Sequence, residues 1–292
     1  MIIKDEKYLV TGGTGVVGYE LCKRIIEMGG NVVVLSRNEE KLRKLRNYLF
    51  STGIATIHGQ VETIVSDILD KKLVRNTLKE VRGVFHLAAL AQGMQSGKPI
   101  ESINTNILGS MNVLVESLNT DFVIGISSDK VVQVSGNYGA TKFLMEKLFT
   151  EFEEINPDTK YRVVRLGNVI YSVDSVLEKW KSRIENNEEV IITEPTATRF
   201  FMTKEQSVDM IFNCLEKSTD STPYFENIKS TSMGNLLEAM SNKYLPDGNE
   251  LSVKEIGLQP NENLHERIVE GGSYTNEIEQ YTIKELEEMI WL

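Results

Sequence analysis

The first 170 residues or so alternate between short apolar runs and longer stretches with helical spacing. Lys7 to Val10 is a short apolar strand that runs into glycines. From Val16 to Met28, the residues Val17, Leu21, Ile25 and Met28 recur at helical spacing. Asn31 to Leu35 is β-branched and reads as a buried strand. Glu39 to Leu49 is a charged helix with Leu42, Leu45 and Leu49 on one side. Val84 to Leu87 and Phe122 to Ile126 are two more apolar runs, with a helix expected between them at about Thr105 to Leu118. Val163 to Leu166 is a further strand. Strands alternating with helices at this period predict an α/β fold, a parallel, doubly wound sheet. Beyond residue 170 or so the pattern loosens. Thr203-Lys204-Glu205-Gln206 is a capping box opening a helix with Val208, Ile211, Phe212 and Leu215. Thr282-Ile283-Lys284-Glu285 opens a last helix with Leu286, Met289 and Ile290. No repeat or low-complexity linker interrupts the chain, so the C-terminal part is expected as a smaller lobe packed on the first.

The turn after the first strand carries candidate chemistry. Gly12, Gly15 and Gly18, with Thr14, Val16 and Val17 between them, lie between a strand and an amphipathic helix. Glycines there allow a tight turn, close backbone approach to a pyrophosphate and close helix–sheet packing. The helix N-terminus then offers free N–H groups to phosphates. The context is that of a Rossmann dinucleotide site. An NAD site usually places an acid on the ribose about 20 residues after the glycines. Here the second strand ends in Ser36-Arg37, which suits a 2′-phosphate, so NADP is expected over NAD. Asp67 and Ile68 are candidates for the adenine edge, and Ala88 and Ala89 are small enough to clear a cofactor. Residues 1–168 are thus expected as the NADP-binding Rossmann domain. Residues 169–292 are expected as the substrate lobe, with an interleaved boundary.

Composition narrows the class. The chain has 292 residues, 41% hydrophobic and 25% charged, as in ordinary globular enzymes. Lys+Arg 32 against Asp+Glu 42 gives a net charge of −10, without the general positive field that nucleic acid binding uses. A local basic pocket for a phosphorylated small molecule remains compatible with it. Cys22 and Cys214 make no disulfide framework or cysteine metal site. His58, His86 and His265 are too far apart to suggest a zinc cluster, so no metal is expected. No run approaches ~18 apolar residues and the N-terminus lacks a leader pattern. These features lead us to expect a cytoplasmic protein with no nucleic-acid or membrane partner.

Tyr138 and Lys142 stand four apart, on one helix face, about ten residues after the strand ending Ser127-Ser128. A Lys ammonium near a phenol brings its pKa towards neutral. Tyr138 could then take a hydroxyl proton while hydride leaves for a nicotinamide. With the glycine turn, this resembles the extended, nucleotide-sugar-modifying branch of the short-chain dehydrogenase/reductase superfamily. Ser127-Ser128-Asp129-Lys130 followed by Asn137-Tyr138-Gly139-Ala140-Thr141-Lys142 resembles the UDP-N-acetylglucosamine 4,6-dehydratases of the polysaccharide-biosynthesis and flagellin-glycosylation group. Arg165 to Val169, Glu194 to Phe201 and Pro260 to Glu266 are similar to three further segments of that group, and the likeness runs from about residue 7 to 290.

The resemblance implies roles. Removing water across carbons 5 and 6 needs a base and an acid, and adjacent Asp129 and Lys130 could divide them. By resemblance Asp129 helps expel the 6-hydroxyl, Lys130 acts at carbon 5, and Ser128 hydrogen bonds the substrate near carbon 4. Arg199 and Asn168 would meet the diphosphate of a UDP-sugar, and Glu262 the uridine ribose. His265 is expected to be structural. A homodimer or larger assembly is implied, paired through about Thr105–Leu118 and Tyr138–Phe152.

Departures from the group are Leu90-Ala91-Gln92-Gly93 where relatives have Lys-His-Val, Gln259 and Asn261 in the segment R-P-G-E, and Val173 for an Arg. They bear on substrate identity. The expected activity is NADP-dependent dehydration of UDP-N-acetylglucosamine to a UDP-4-keto-6-deoxy sugar. The alternative is a UDP-sugar 4-epimerase or 4-ketosugar reductase. A third reading, an NADP-sensing scaffold, fits poorly with an intact Tyr138 and Lys142.

Overall fold

In the computed structural model, which describes residues 2–55, 60–90, 98–172, 175–260 and 262–290, six parallel strands form one sheet. They are β1 (Lys7–Thr11), β2 (Asn31–Ser36), β3 (Val61–Val65), β4 (Gly83–His86), β5 (Phe122–Ser128) and β6 (Lys160–Leu166). Their order is β3-β2-β1-β4-β5-β6. It reverses between β1 and β4, where such sheets open a crevice at their carboxyl ends. Helices cover both faces, so the central strands are apolar on both sides rather than alternating. Tyr8, Leu9 and Val10 are all fully buried. On one face Val10 and Val34 pack with Leu21 and Ile25 of α1 (Val16–Glu27) and Leu45 of α2 (Glu39–Ser51). On the other, Leu9, Val33 and Val84 meet Val74 of α3 (Lys71–Leu78), along with Leu114, Met145 and Phe149.

The expected helix from Thr105 to Leu118 is corrected by the structure. It starts earlier, as α4 (Pro99–Ile103), widens into a π-helical stretch at Asn104–Gly109, and resumes as α5 (Ser110–Glu116). The widened turn includes the fully buried Asn106, whose amide grips the backbone of Leu90 from both sides, accepting from its N–H at 2.8 Å and donating to its carbonyl at 3.4 Å. A side chain drawn inward to bond a neighbouring loop is one cause of such a turn. Apolar spacing carries no trace of it. The next helix, α6 (Asn137–Ile155), crosses this element and carries Tyr138 and Lys142.

The second lobe holds β7 (Asn168–Val169), α7 (Val176–Glu185), β8 (Val190–Ile192), β9 (Thr198–Met202), β10 (Ser230–Ser232), α9 (Met233–Tyr244), β11 (Val253–Glu255) and α10 (Ile283–Ile290). Strands this short leave little periodicity to read. Leu177, Trp180, Phe201, Leu236 and Leu286 form its core. The helix between them, α8 (Lys204–Lys217), instead packs on α1 and β6 and puts Val208, Ile211 and Cys214 into the core of the large sheet. Tyr224 also exchanges backbone bonds with Val163 and Arg165. The chain therefore passes between the lobes more than once. Both capping boxes form: Thr203 and Gln206 bond reciprocally at 3.2 and 2.8 Å, and Thr282 and Glu285 at 3.3 and 2.8 Å. His58, Ala91, Gln92, Gly93, Val173 and Asn261, noted from the sequence, lie outside the described residues.

Candidate active site

A cleft of about 1050 Å³ runs from the glycine turn to the second lobe. Gly12, Thr14, Gly15, Val16, Val17, Gly18, Ser36, Arg37, Asp67, Ile68, Ala88 and Ala89 line one end. Ser128, Lys130, Tyr138, Asn168, Arg199 and Glu262 line the rest. Asp129 and Lys142 sit behind the wall, at 1% and 2% exposure.

The glycine end fits a dinucleotide. Gly12 has φ +69°, and a Cβ there would stand 2.6 Å from the Ala88 nitrogen. A Cβ on Gly18 would press 2.6 Å against the backbone carbonyl carbon of Gly13. The turn is thus as close to strand and helix as a backbone can be. Gly15 caps α1 with no side chain, and the first turn holds no acid. Its N–H groups are left for an anion. Ser36 and Thr14 hydroxyls meet at 3.2 Å, and Arg37 reaches Asp67 at 3.5 Å. The two residues singled out for the 2′-phosphate and for adenine are thereby paired with each other, and Lys41 adds a second cation to that wall.

Beneath this end lies a directed hydrogen-bond chain. The Ser110 hydroxyl donates to the Asn106 carbonyl at 2.7 Å, so it accepts from His86 Nε2 at 2.8 Å. His86 Nδ1 must then accept from the Thr11 hydroxyl at 2.7 Å, while Thr11 accepts from the Ala88 N–H at 3.2 Å. Burial, with the nearby Lys142 charge, drives the His86 pKa down to about 3, so the ring is neutral.

Tyr138 opens α6, where its phenol meets the Ser128 hydroxyl. That hydroxyl donates to Asp129 Oδ1 at 2.7 Å. Burial pushes the phenol up to about 12, and the Asp129 charge adds to this. Lys142 does not supply the expected relief. Its ammonium donates to the Ile126 carbonyl at 2.7 Å. Burial lowers its pKa to about 8 against the pull of Glu146. The sequence spacing put Lys142 on the right face but could not show where its ammonium points.

Lys130 Nζ lies 2.8 Å from Asp129 Oδ2 and 3.1 Å from Glu266 Oε1. Burial and Arg199 depress its pKa, but the two carboxylates outweigh them and the net shift is upward. Asp129 therefore accepts at both oxygens, from Ser128 and from a lysine ammonium. Arg199 is 7% exposed and meets Glu262 at 3.2 Å, Glu266 at 3.7 Å and the carbonyls of Thr198 and Leu264. Glu262 also accepts from Thr193, and the Asn168 amide donates to Phe200. His265 bonds Thr198 at 2.7 Å. Glu266, the last residue of the Pro260 to Glu266 segment, is not singled out by the sequence. Among the described residues no cluster of potential metal ligands is present, and no helix is long and apolar enough to cross a membrane.

Residues 8–288 match the family described as "Polysaccharide biosynthesis protein". An uncharacterized membrane protein of Methanocaldococcus jannaschii is 30% identical over 98% of this chain and 85% of its own. The UDP-glucose 4-epimerase of Rickettsia rickettsii is 30% identical over 91% of this chain and 78% of its own. The crystal structure of Pen from Bacillus thuringiensis superposes with a TM-score of 0.88 at 23% identity, covering 100% of this chain and 98% of that one. The chain belongs to the polysaccharide biosynthesis protein family, within the extended short-chain dehydrogenase/reductase class.

Proposed function

We propose that the protein is an NADP-dependent dehydratase that converts a UDP-N-acetylhexosamine, UDP-N-acetylglucosamine in the first instance, to a UDP-4-keto-6-deoxy sugar. The observation that carries this reading is the buried Asp129–Lys130 pair beside Tyr138. Oxidation and reduction at carbon 4 need only one acid–base group. Loss of water across carbons 5 and 6 needs two more, and these are present.

The glycine turn, with Ala88 and Ala89, would hold the pyrophosphate. Ser36, Arg37 and Lys41 would hold a 2′-phosphate, and Asp67 and Ile68 the adenine. When bound, the nicotinamide supplies the acceptor for a hydride from carbon 4 and the donor for its return at carbon 6. Tyr138 takes the 4-hydroxyl proton, oriented by Ser128, once Lys142 turns from Ile126 towards the phenol. The resulting ketone acidifies the carbon-5 proton. At rest Lys130 is the ammonium and Asp129 the carboxylate, the opposite of what dehydration requires. One proton passing across their 2.8 Å contact yields a neutral amine and a carboxylic acid. Lys130 then takes the carbon-5 proton and Asp129 protonates the departing hydroxyl, which restores the resting charges; as hydride returns at carbon 6, Lys130 would give its proton back at carbon 5. Arg199 and Asn168 would hold the diphosphate, and Glu262 the uridine ribose.

The second reading is a UDP-sugar 4-epimerase, favoured by the name of the Rickettsia relative. Incubation with UDP-N-acetylglucosamine and catalytic NADP⁺, followed by mass spectrometry, separates the two. Loss of one water supports dehydration. An unchanged mass with a new epimer supports epimerisation, and stoichiometric NADPH consumption on a 4-ketosugar a reductase. The same assay with NAD⁺ tests the preference assigned to Arg37. We place the enzyme in the cytoplasm as a homodimer, supported by the buried free thiols of Cys22 and Cys214 and by exposed apolar residues on α4 and α6.

A further inference from the structure

The geometry points to Glu266 as a positioning residue that fixes the charge and place of Lys130 and ties it to the anion-binding Arg199. The inference rests on the dehydratase reading for its catalytic consequence, but the clamp itself does not.

Glu266 is 3% exposed, far down the chain from the residues it serves. One oxygen, Oε1, faces both cations: Lys130 Nζ at 3.1 Å and Arg199 Nε at 3.7 Å. The other, Oε2, accepts from Asn263, whose amide also reaches the Gln133 carbonyl. Its backbone is fixed on both sides by Thr275, which accepts from the Glu266 N–H at 3.0 Å and donates its own N–H to the Glu266 carbonyl at 2.9 Å. Thr275 in turn bonds Thr198, beside Arg199. The carboxylate is therefore held in place rather than recruited.

Lys130 is faced by Asp129 from its own turn, Glu266 from the C-terminal loop and Arg199 from β9; Tyr138 of α6 lies across Ser128 and Asp129. Asp129 alone would have to offset both burial and the like charge of Arg199. With Glu266 present, the ammonium faces two carboxylates. That raises the proton affinity of Lys130. It also holds the ammonium that forms when Lys130 takes that proton. Because Arg199 shares Oε1, a diphosphate drawn to Arg199 would leave Glu266 more fully to Lys130. Substrate binding would thereby strengthen the base.

The test uses the full-length protein with ¹³C-labelled lysine methylenes, read by NMR as a function of pH, with the Lys130 signal identified from Lys130→Arg. Glu266→Gln keeps shape and removes charge, and should lower the Lys130 pKa by about one unit or more, the scale of an opposite charge within ~4 Å. Glu266→Asp should restore most of it. In turnover, Glu266→Gln should cut kcat at least tenfold with KM within about threefold. Reduced nicotinamide should accumulate, since oxidation at carbon 4 is spared and water loss is slowed. An unchanged Lys130 pKa in a folded Glu266→Gln protein overturns the inference, as does a kcat loss without reduced nicotinamide that Glu266→Asp fails to rescue. If wild type leaves UDP-N-acetylglucosamine intact while the pKa still falls in Glu266→Gln, the dehydratase reading fails and the Glu266 clamp stands.

Discussion

At the scale of single residues, the site holds groups in states that suit chemistry at the expense of stability. Lys142 is buried with a pKa of about 8, below the 10.5 of a free lysine. Above 10.5 both folded and unfolded chains carry it neutral. As pH falls towards 8, only the unfolded chain gains the proton, so stability is lost, and below 8 the full cost applies. Lys142→Met should therefore raise stability at pH 7 by roughly 1–3 kcal/mol while abolishing turnover. Urea unfolding at pH 7 and pH 10 checks this, since the gain should shrink at the higher pH. Tyr138→Phe should also abolish turnover but leave nicotinamide-dinucleotide binding within a few-fold, measured by calorimetry. Much of this scale was legible. The glycines, Tyr138, Lys142, Asp129 and Lys130 announce themselves by spacing and neighbours in the chain. Glu266 did not, because its meaning comes from two cations that only folding brings to one oxygen. The direction of the Lys142 ammonium was illegible for the same reason.

At the scale of elements, α6 does three tasks on one face. Tyr138, Lys142 and Glu146 are spaced four apart, so they line up along the helix. Glu146 accepts from Ser127 at 2.6 Å and takes a two-pronged bond from Arg165 at 2.9 and 2.8 Å. Arg165 also donates to the Ile268 carbonyl, tying α6 and β6 to the C-terminal segment that carries Glu266. Glu146 is buried and Arg165 only slightly exposed, so Arg165→Met would strand the Glu146 charge. We expect a loss of about 3–5 kcal/mol in unfolding free energy, and the double change with Glu146→Leu should recover a large part of it. Chemical denaturation of the single and double variants gives the answer. Helical spacing exposed α6 readily. It could not expose the π-helical turn at Asn104–Gly109, whose cause is a polar side chain reaching a loop, nor the strands of the second lobe, as short as two residues.

At the scale of the whole molecule, α4 and α6 present Ile100, Ile103, Phe143 and Leu144 to solvent, each at least 40% exposed. Exposed apolar residues on two helices suit an interaction site. A second copy of the same face would cover it with twofold symmetry. Sedimentation should give a dimer, and Phe143→Glu with Leu144→Glu a folded monomer; a monomeric wild type would refute the pairing. The hydrogen-bond chain from Ala88 through Thr11, His86 and Ser110 to Asn106 lies under the glycine end of the cleft. Its ring stays neutral down to about pH 3, whereas a free histidine protonates at 6.5. As pH falls below 6.5 the unfolded chain gains a proton that the folded one refuses. Stability drains by up to roughly 4–5 kcal/mol before pH 3. A second proton, on Nδ1, would set donor against donor at the Thr11 hydroxyl and disturb the contact of Thr11 with Ala88. Acid should then silence the enzyme and melt it in one event, with activity and fluorescence falling on the same curve: the point where the molecule is weakest to acid is the floor on which it works.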